Sequence, residues 1–160
     1  MPLRPEVTVA AVAEDNGRFL LVEEHIEGRL VLNQPAGHVE LGESVLQAVS
    51  REALEETAWH FTPRALLGIY LWQPESRGTA TLRFAFAGTV HGHDPARPLD
   101  RGIVRTHWLS RAELDARASR LRTPLVLRCV DDFLAGKRYP LELVATVAPH
   151  ALAIPDGPSS

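Results

Sequence analysis

Residues 37–59 read GHVELGESVLQAVSREALEETAW. The second half predicts a helix from Val45 to about Thr57. Ser44-x-x-Gln47 fits a capping box, in which each side chain satisfies the other's backbone N–H. The stretch before it, QPAGHVELGE (34–43), is broken by Pro35, Gly37 and Gly42 and reads as a loop. At about 100° per residue, Glu52, Glu55 and Glu56 share one arc about 100° wide. Val45, Leu46, Val49 and Ala53 fall beside that arc and partly over it. The three carboxylates therefore border the buried stripe instead of occupying the back of the helix.

That placement is costly. Three neighbouring carboxylates repel one another, and burial beside apolar surface raises the pKa of each. The C-terminal half of a helix adds a small unfavourable dipole term. A hard divalent cation resolves the conflict, because Mg²⁺ and Mn²⁺ take oxygen ligands. A solvated acidic face, with Arg51 and Glu55 paired at i, i+4, is the competing reading. The loop before the helix decides between them.

From Gly37 the order is five residues, Glu43, seven residues, Arg51-Glu52, Ala53, Leu54, Glu55-Glu56, Thr57, Ala58 and Trp59. This resembles the Nudix box, G-x5-E-x7-R-E-U-x-E-E-x-G-U with U apolar. Six fixed positions agree across 23 residues. VTVAAV, NQPAGHVE, LRTPL and KRYPLEL, in that order, extend the resemblance to the NudJ-type phosphatase branch of the family, over roughly residues 5 to 147. The resemblance implies a Nudix-type α/β/α sandwich with a mixed β-sheet and a loop–helix–loop catalytic motif. It implies metal binding by Glu52, Glu55 and Glu56 with the Gly37 carbonyl. It further implies water activation by Glu52 or Glu55, and Arg51 and Glu43 holding loop and helix in register. Position 58 departs from the box: Ala stands where the family prefers Gly. Either Ala58 accepts a left-handed conformation at about 1 kcal/mol, or the helix runs on toward Trp59.

The rest of the chain fits one domain. It has 160 residues, 45% hydrophobic and 23% charged, with a formal net charge of −3, which advertises neither a nucleic-acid polymer nor a membrane. Sixteen of its 17 basic residues are Arg, which suits phosphate and carboxylate recognition; the remaining one is Lys137. The single cysteine, Cys129, excludes an internal disulfide and a Cys-based metal site. The N-terminal stretch lacks a signal-peptide pattern and no run of 18 apolar residues exists, so a cytoplasmic location is expected.

Strands are expected at 6–14, 19–24, 29–33, 65–73, 79–90, 103–109 and 141–147. Further helices are expected after Ser110, capped with Glu113, and over 123–136, with Thr123 as N-cap and Gly136 as stop. Asp15-Asn16-Gly17-Arg18 is a hairpin turn, and Arg77-Gly78 lies in another. The Nudix domain is expected over 1–148, with a mobile tail over 149–160.

Outside the box the readings are blander. His91 and His93 read as a polar loop. Asp100 could add a carboxylate, as loops there do in some relatives. Trp72, Phe84, Phe86 and Tyr139 could stack on a base, with core packing the simpler account. Arg122, Arg138 and Tyr139, in the NudJ-like stretches, are candidates for substrate contact. No G-x-x-x-x-G-K-[ST] loop exists, so metal and arginine must carry the substrate's charge.

The resemblance thus implies a Mg²⁺-dependent hydrolase, with Mn²⁺ as substitute. It would release phosphate from nucleoside tri- and diphosphates and hydroxymethylpyrimidine pyrophosphate, as a monomer or homodimer. Cleavage of ADP-ribose or oxidised nucleotides is the alternative within the family, and a non-catalytic nucleotide sensor the alternative outside catalysis.

Overall fold

The first strand, β1 (Glu6–Asp15), explains the architecture. Its residues Val9 to Ala13 are at most 2% exposed. A strand buried on both faces reads as a continuous apolar run, which is why its alternation is weak in sequence. Val9, Ala11 and Ala13 pack on one face with Ala48, Val49 and Ala53. Ala10 and Val12 pack on the other with Val126, Cys129 and Val130. Two cores on two faces of one sheet make an α/β sandwich.

A computed structural model describes residues 1–76 and 78–147. The tail expected to be mobile, 149–160, and Arg77 of the Arg77-Gly78 turn lie outside the described residues. After β1 come β2 (Arg18–Ile26), β3 (Arg29–Asn33), β4 (Ala36–His38), α1 (Val45–Thr57), β5 (His60–Trp72), β6 (Thr81–His91), β7 (Ile103–Ser110), α2 (Arg111–Ala116) and α3 (Leu125–Leu134). The strands run β3-β2-β1-β6-β5, with β4 also pairing β1 and β7 also pairing β2. β1 and β6 are parallel and the other pairs antiparallel, so the sheet is mixed. No helix among the described residues is long and apolar enough to cross a membrane.

Four expectations need correction. The 34–43 stretch holds a short strand, β4, whose Gly37 pairs with Val9. β5 begins at His60, not Ala65; Pro63 is tolerated because the register shifts between Pro63 and Ala65. Leu141–Leu143 is a 3₁₀ turn, not the start of a strand. Tyr139 already occupies the free edge of β5 there, exchanging two 2.8 Å backbone hydrogen bonds with Leu66, and Pro140 then turns the chain. The helix expected over 123–136 is shorter, Leu125–Leu134, and its N-cap is Pro124, not Thr123, whose Oγ1 still accepts from the Leu125 N–H at 3.2 Å.

The end of α1 is resolved in favour of strain. Ala58 is left-handed, at φ 61°, ψ 15°, and its N–H donates to the Leu54 carbonyl at 2.9 Å.

Candidate functional site

The site is built where α1 ends against β4 and the 92–102 loop; His91, expected in that loop, is instead the last residue of β6. Ser44 and Gln47 form the predicted capping box, which sets the phase of the helix. That phase turns Glu52 toward Gly37 of β4. A side chain at position 37 would collide with the Glu52 carboxyl group, so only glycine lets the two elements approach this closely. The last carbonyls of a helix lack partners within it. Here the loop supplies them: the Asp100 N–H donates to the Glu55 carbonyl at 3.0 Å and the Asp94 N–H to the Ala58 carbonyl at 3.0 Å. These bonds bring Asp100 to the acidic face of α1.

One carboxylate oxygen each from Glu52, Glu55 and Asp100 lies within 4.8 Å of the others. Such an all-oxygen set suits a hard divalent cation. Glu56 sits deeper, 6% exposed, and its Oε1 accepts the Ala36 N–H at 2.7 Å. Burial pushes its pKa up to about 9, and Glu24, Glu52 and Asp100 add to the rise. Burial also raises Glu52, against the opposing pull of Arg51.

Arg51 lies at the centre of this group. Its Nε and Nη2 grip the Glu43 carboxylate at 3.0 and 2.8 Å. Nη1 donates to Glu52 at 2.9 Å and to Glu55 at 3.2 Å, and Nη2 to the His38 carbonyl at 3.0 Å. The expected i, i+4 pair with Glu55 is therefore present beside the brace to the loop. The Glu43 pair holds that carboxyl below its usual range and raises the guanidinium.

The remaining candidates separate in space. Arg122 donates to Glu24 at 2.7 Å and lines a cavity of about 190 Å³ together with Gly37, Trp72 and Arg83. Arg138 lies over the Phe133 ring, 4.0 Å from its centroid. Tyr139 lines a different cavity, of about 340 Å³, between β5 and α3. His93 stacks on Trp59 at 4.7 Å and His91 on His60 at 5.5 Å, so both rings are engaged in packing. Phe86 and Cys129 are fully buried in the core.

Sequence reasoning passed over Arg83, which is 4% exposed. Its signal was available: TLRFAFAG places one charge at an inward position of an otherwise apolar strand.

Comparison with known proteins supplies the last observation. The NUDIX domain model matches residues 2–128. Phosphatase NudJ of Escherichia coli K12 is 40% identical over 141 residues, 88% of this chain and 91% of that protein. A NUDIX hydrolase from Nitrosomonas europaea is 53% identical and superposes with a TM-score of 0.87, covering 90% of this chain and 98% of the other. A MutT NUDIX hydrolase from Burkholderia pseudomallei, 20% identical, shares the fold at a TM-score of 0.68 over 81% of this chain and 98% of its own.

Proposed function

The chain belongs to the NUDIX hydrolase family, and from that premise we propose that it is a Mg²⁺-dependent phosphatase of small phosphorylated compounds, nucleoside tri- and diphosphates and hydroxymethylpyrimidine pyrophosphate among them. The reading rests above all on the gathering of Glu52, Glu55 and Asp100 within 4.8 Å at the end of α1. In this reading Glu52, Glu55 and Glu56, with the Gly37 carbonyl and Asp100 beside them, hold Mg²⁺; Mn²⁺ has the same preference for oxygen. The donor chemistry fits, and Gly37 leaves the space that a side chain would take from Glu52. When bound, the metal supplies charge neutralisation for the diphosphate and lowers the pKa of water.

The protein's own groups do the positioning. Arg51 fixes Glu52 and Glu55 through Nη1 while its other face locks Glu43. A carboxylate held this way accepts a proton from water in a set direction, and Glu52 or Glu55 takes that role. Glu56 is held by the Ala36 N–H, so its oxygen cannot drift from β4. In this reading Arg122, which donates to Glu24 and lines the cavity beside Gly37, meets substrate charge. The catalytic domain is taken as residues 1–148, acting in the cytoplasm as a monomer or homodimer.

The test is phosphate release over a panel of nucleotides, nucleotide sugars and thiamin precursors, in Mg²⁺ and in EDTA. Release should require Mg²⁺, and Glu55→Gln and Glu56→Gln should each abolish it while the circular dichroism spectrum stays native. Full turnover in both variants, or in EDTA, overturns the reading.

A further inference from the structure

The cavity beside Gly37 has an unusual floor. Register fixes it: Thr8 of β1, Arg83 of β6 and Tyr70 of β5 are paired across the sheet, as are Glu6, Thr81 and Trp72 two residues along. Arg83 is 4% exposed, yet no carboxylate among the described residues pairs with it. Its Nη1 donates to Gln34 Oε1 at 2.9 Å and lies 3.9 Å from Cys129 Sγ; its Nη2 donates to Asn33 Oδ1 at 3.1 Å. Gln34 is in turn tied to the Val126 carbonyl at 2.9 Å. The Arg83 Nε–H and the Thr8 hydroxyl, both buried, have no hydrogen-bond partner among the described residues.

A guanidinium has five N–H donors and is always charged. Burying it against neutral amides alone is expensive, because nothing offsets the lost hydration of the cation. A fold that needed only stability at this position would place an apolar residue there, or set a carboxylate at position 33 or 34. The arrangement instead holds a fixed guanidinium, with donor capacity that Asn33 and Gln34 do not use up, at the wall of the cavity that Arg83 and Thr8 both line. The rest of that cavity limits what it can meet. At about 190 Å³ it falls below the roughly 300–1,000 Å³ of pockets that enclose a whole small molecule. Trp72 gives it an aromatic wall, suited to a flat ring. Gly37 and Ala36 connect it to the carboxylates, the first through its approach to Glu52 and the second through its bond to Glu56.

We infer that Arg83, held by Asn33 and Gln34, is the specificity-determining residue of a subsite for a single flat ring that presents hydrogen-bond acceptors, such as ring carbonyls, to the guanidinium. The inference rests on the hydrolase reading only in that the ring is the organic part of the phosphorylated substrate.

Calorimetric titration in EDTA tests the subsite without turnover. The probes are uridine 5′-monophosphate, its analogue with a phenyl ring in place of the base, and ribose 5-phosphate. The uridine compound should bind at least about ten-fold tighter than the phenyl analogue, or ~1.4 kcal/mol, and ribose 5-phosphate most weakly. Arg83→Met should bring the first two within about two-fold of each other. Adenosine 5′-monophosphate, with two fused rings, should bind more weakly than the uridine compound. Should Arg83→Met fail to fold, Asn33→Asp carries the test. It gives the buried cation a carboxylate, so it should raise the melting temperature and weaken uridine monophosphate binding at least about five-fold. A purely structural Arg83 predicts the first effect without the second. Uridine monophosphate bound no tighter than the phenyl analogue, or unaltered binding in the variant, overturns the inference. Loss of phosphate release with every compound would instead overturn the hydrolase reading and leave these binding results standing.

Discussion

Gly37→Ala separates the site from the fold. Gly37 has no left-handed backbone, so alanine can adopt its conformation. The new methyl would land on the Glu52 carboxyl group. Contact distance for carbon is about 3.5 Å, so the carboxylate must retreat by about 1 Å. It would then strain its 2.9 Å bond from Arg51 Nη1, at a cost of about 1–2 kcal/mol. Reduced freedom of the unfolded chain returns about 0.4–1 kcal/mol. The net destabilisation is about 1 kcal/mol, or roughly 2–4 °C in melting temperature at this length. The same displacement misplaces a group that the proposed reaction requires, and a 1 Å error there costs about 100-fold. Calorimetry and phosphate release at saturating Mg²⁺ measure the two effects separately. A kcat/KM within about threefold of wild type refutes the reasoning. So does a fall in melting temperature above about 10 °C, which would mean that the β1–β4 pairing, not Glu52, absorbs the clash.

Arg51→Lys keeps the charge but loses the fork, so denaturant unfolding should show a loss of about 1–3 kcal/mol, with Arg51→Ala losing more because Glu43, Glu52 and Glu55 are then uncompensated. Glu56 keeps a proton in the folded protein up to about pH 9, whereas the unfolded chain loses it near 4.5. The folded state therefore binds more protons between those values, and the melting temperature of the metal-free protein should fall as pH rises through that window. Glu56→Gln should flatten the slope, and an unchanged slope in that variant would assign it to other groups. Ala58→Gly should shift the melting temperature by less than about 3 °C. Relief of about 1 kcal/mol of left-handed strain is opposed by loss of a buried methyl worth about 0.8 kcal/mol and by a more flexible unfolded chain. A gain above about 5 °C would show that the strain is larger than this balance allows.

The sequence by itself determined the local grammar of this protein. A capping box starts α1, a rotation of about 100° per residue puts three glutamates on one arc, and the spacing from Gly37 to Trp59 sets loop against helix. Those relations span few residues, so they can be counted along the chain. The tertiary structure decided what distance along the chain conceals. Asp100 reaches Glu55 only because its loop supplies the hydrogen bonds that the end of α1 lacks. The 141–147 stretch turns away because Tyr139 has already taken the edge of β5. Ala58 took the strained of two conformations open to it, with its N–H returned to Leu54 and its carbonyl capped by Asp94. Arg83 could be seen in sequence as a lone charge in an apolar strand. That its guanidinium meets two amides and, among the described residues, no acid depends on Asn33 and Gln34, about 50 residues away in sequence, and pairings at such separation are fixed by strand register and packing, not by local pattern.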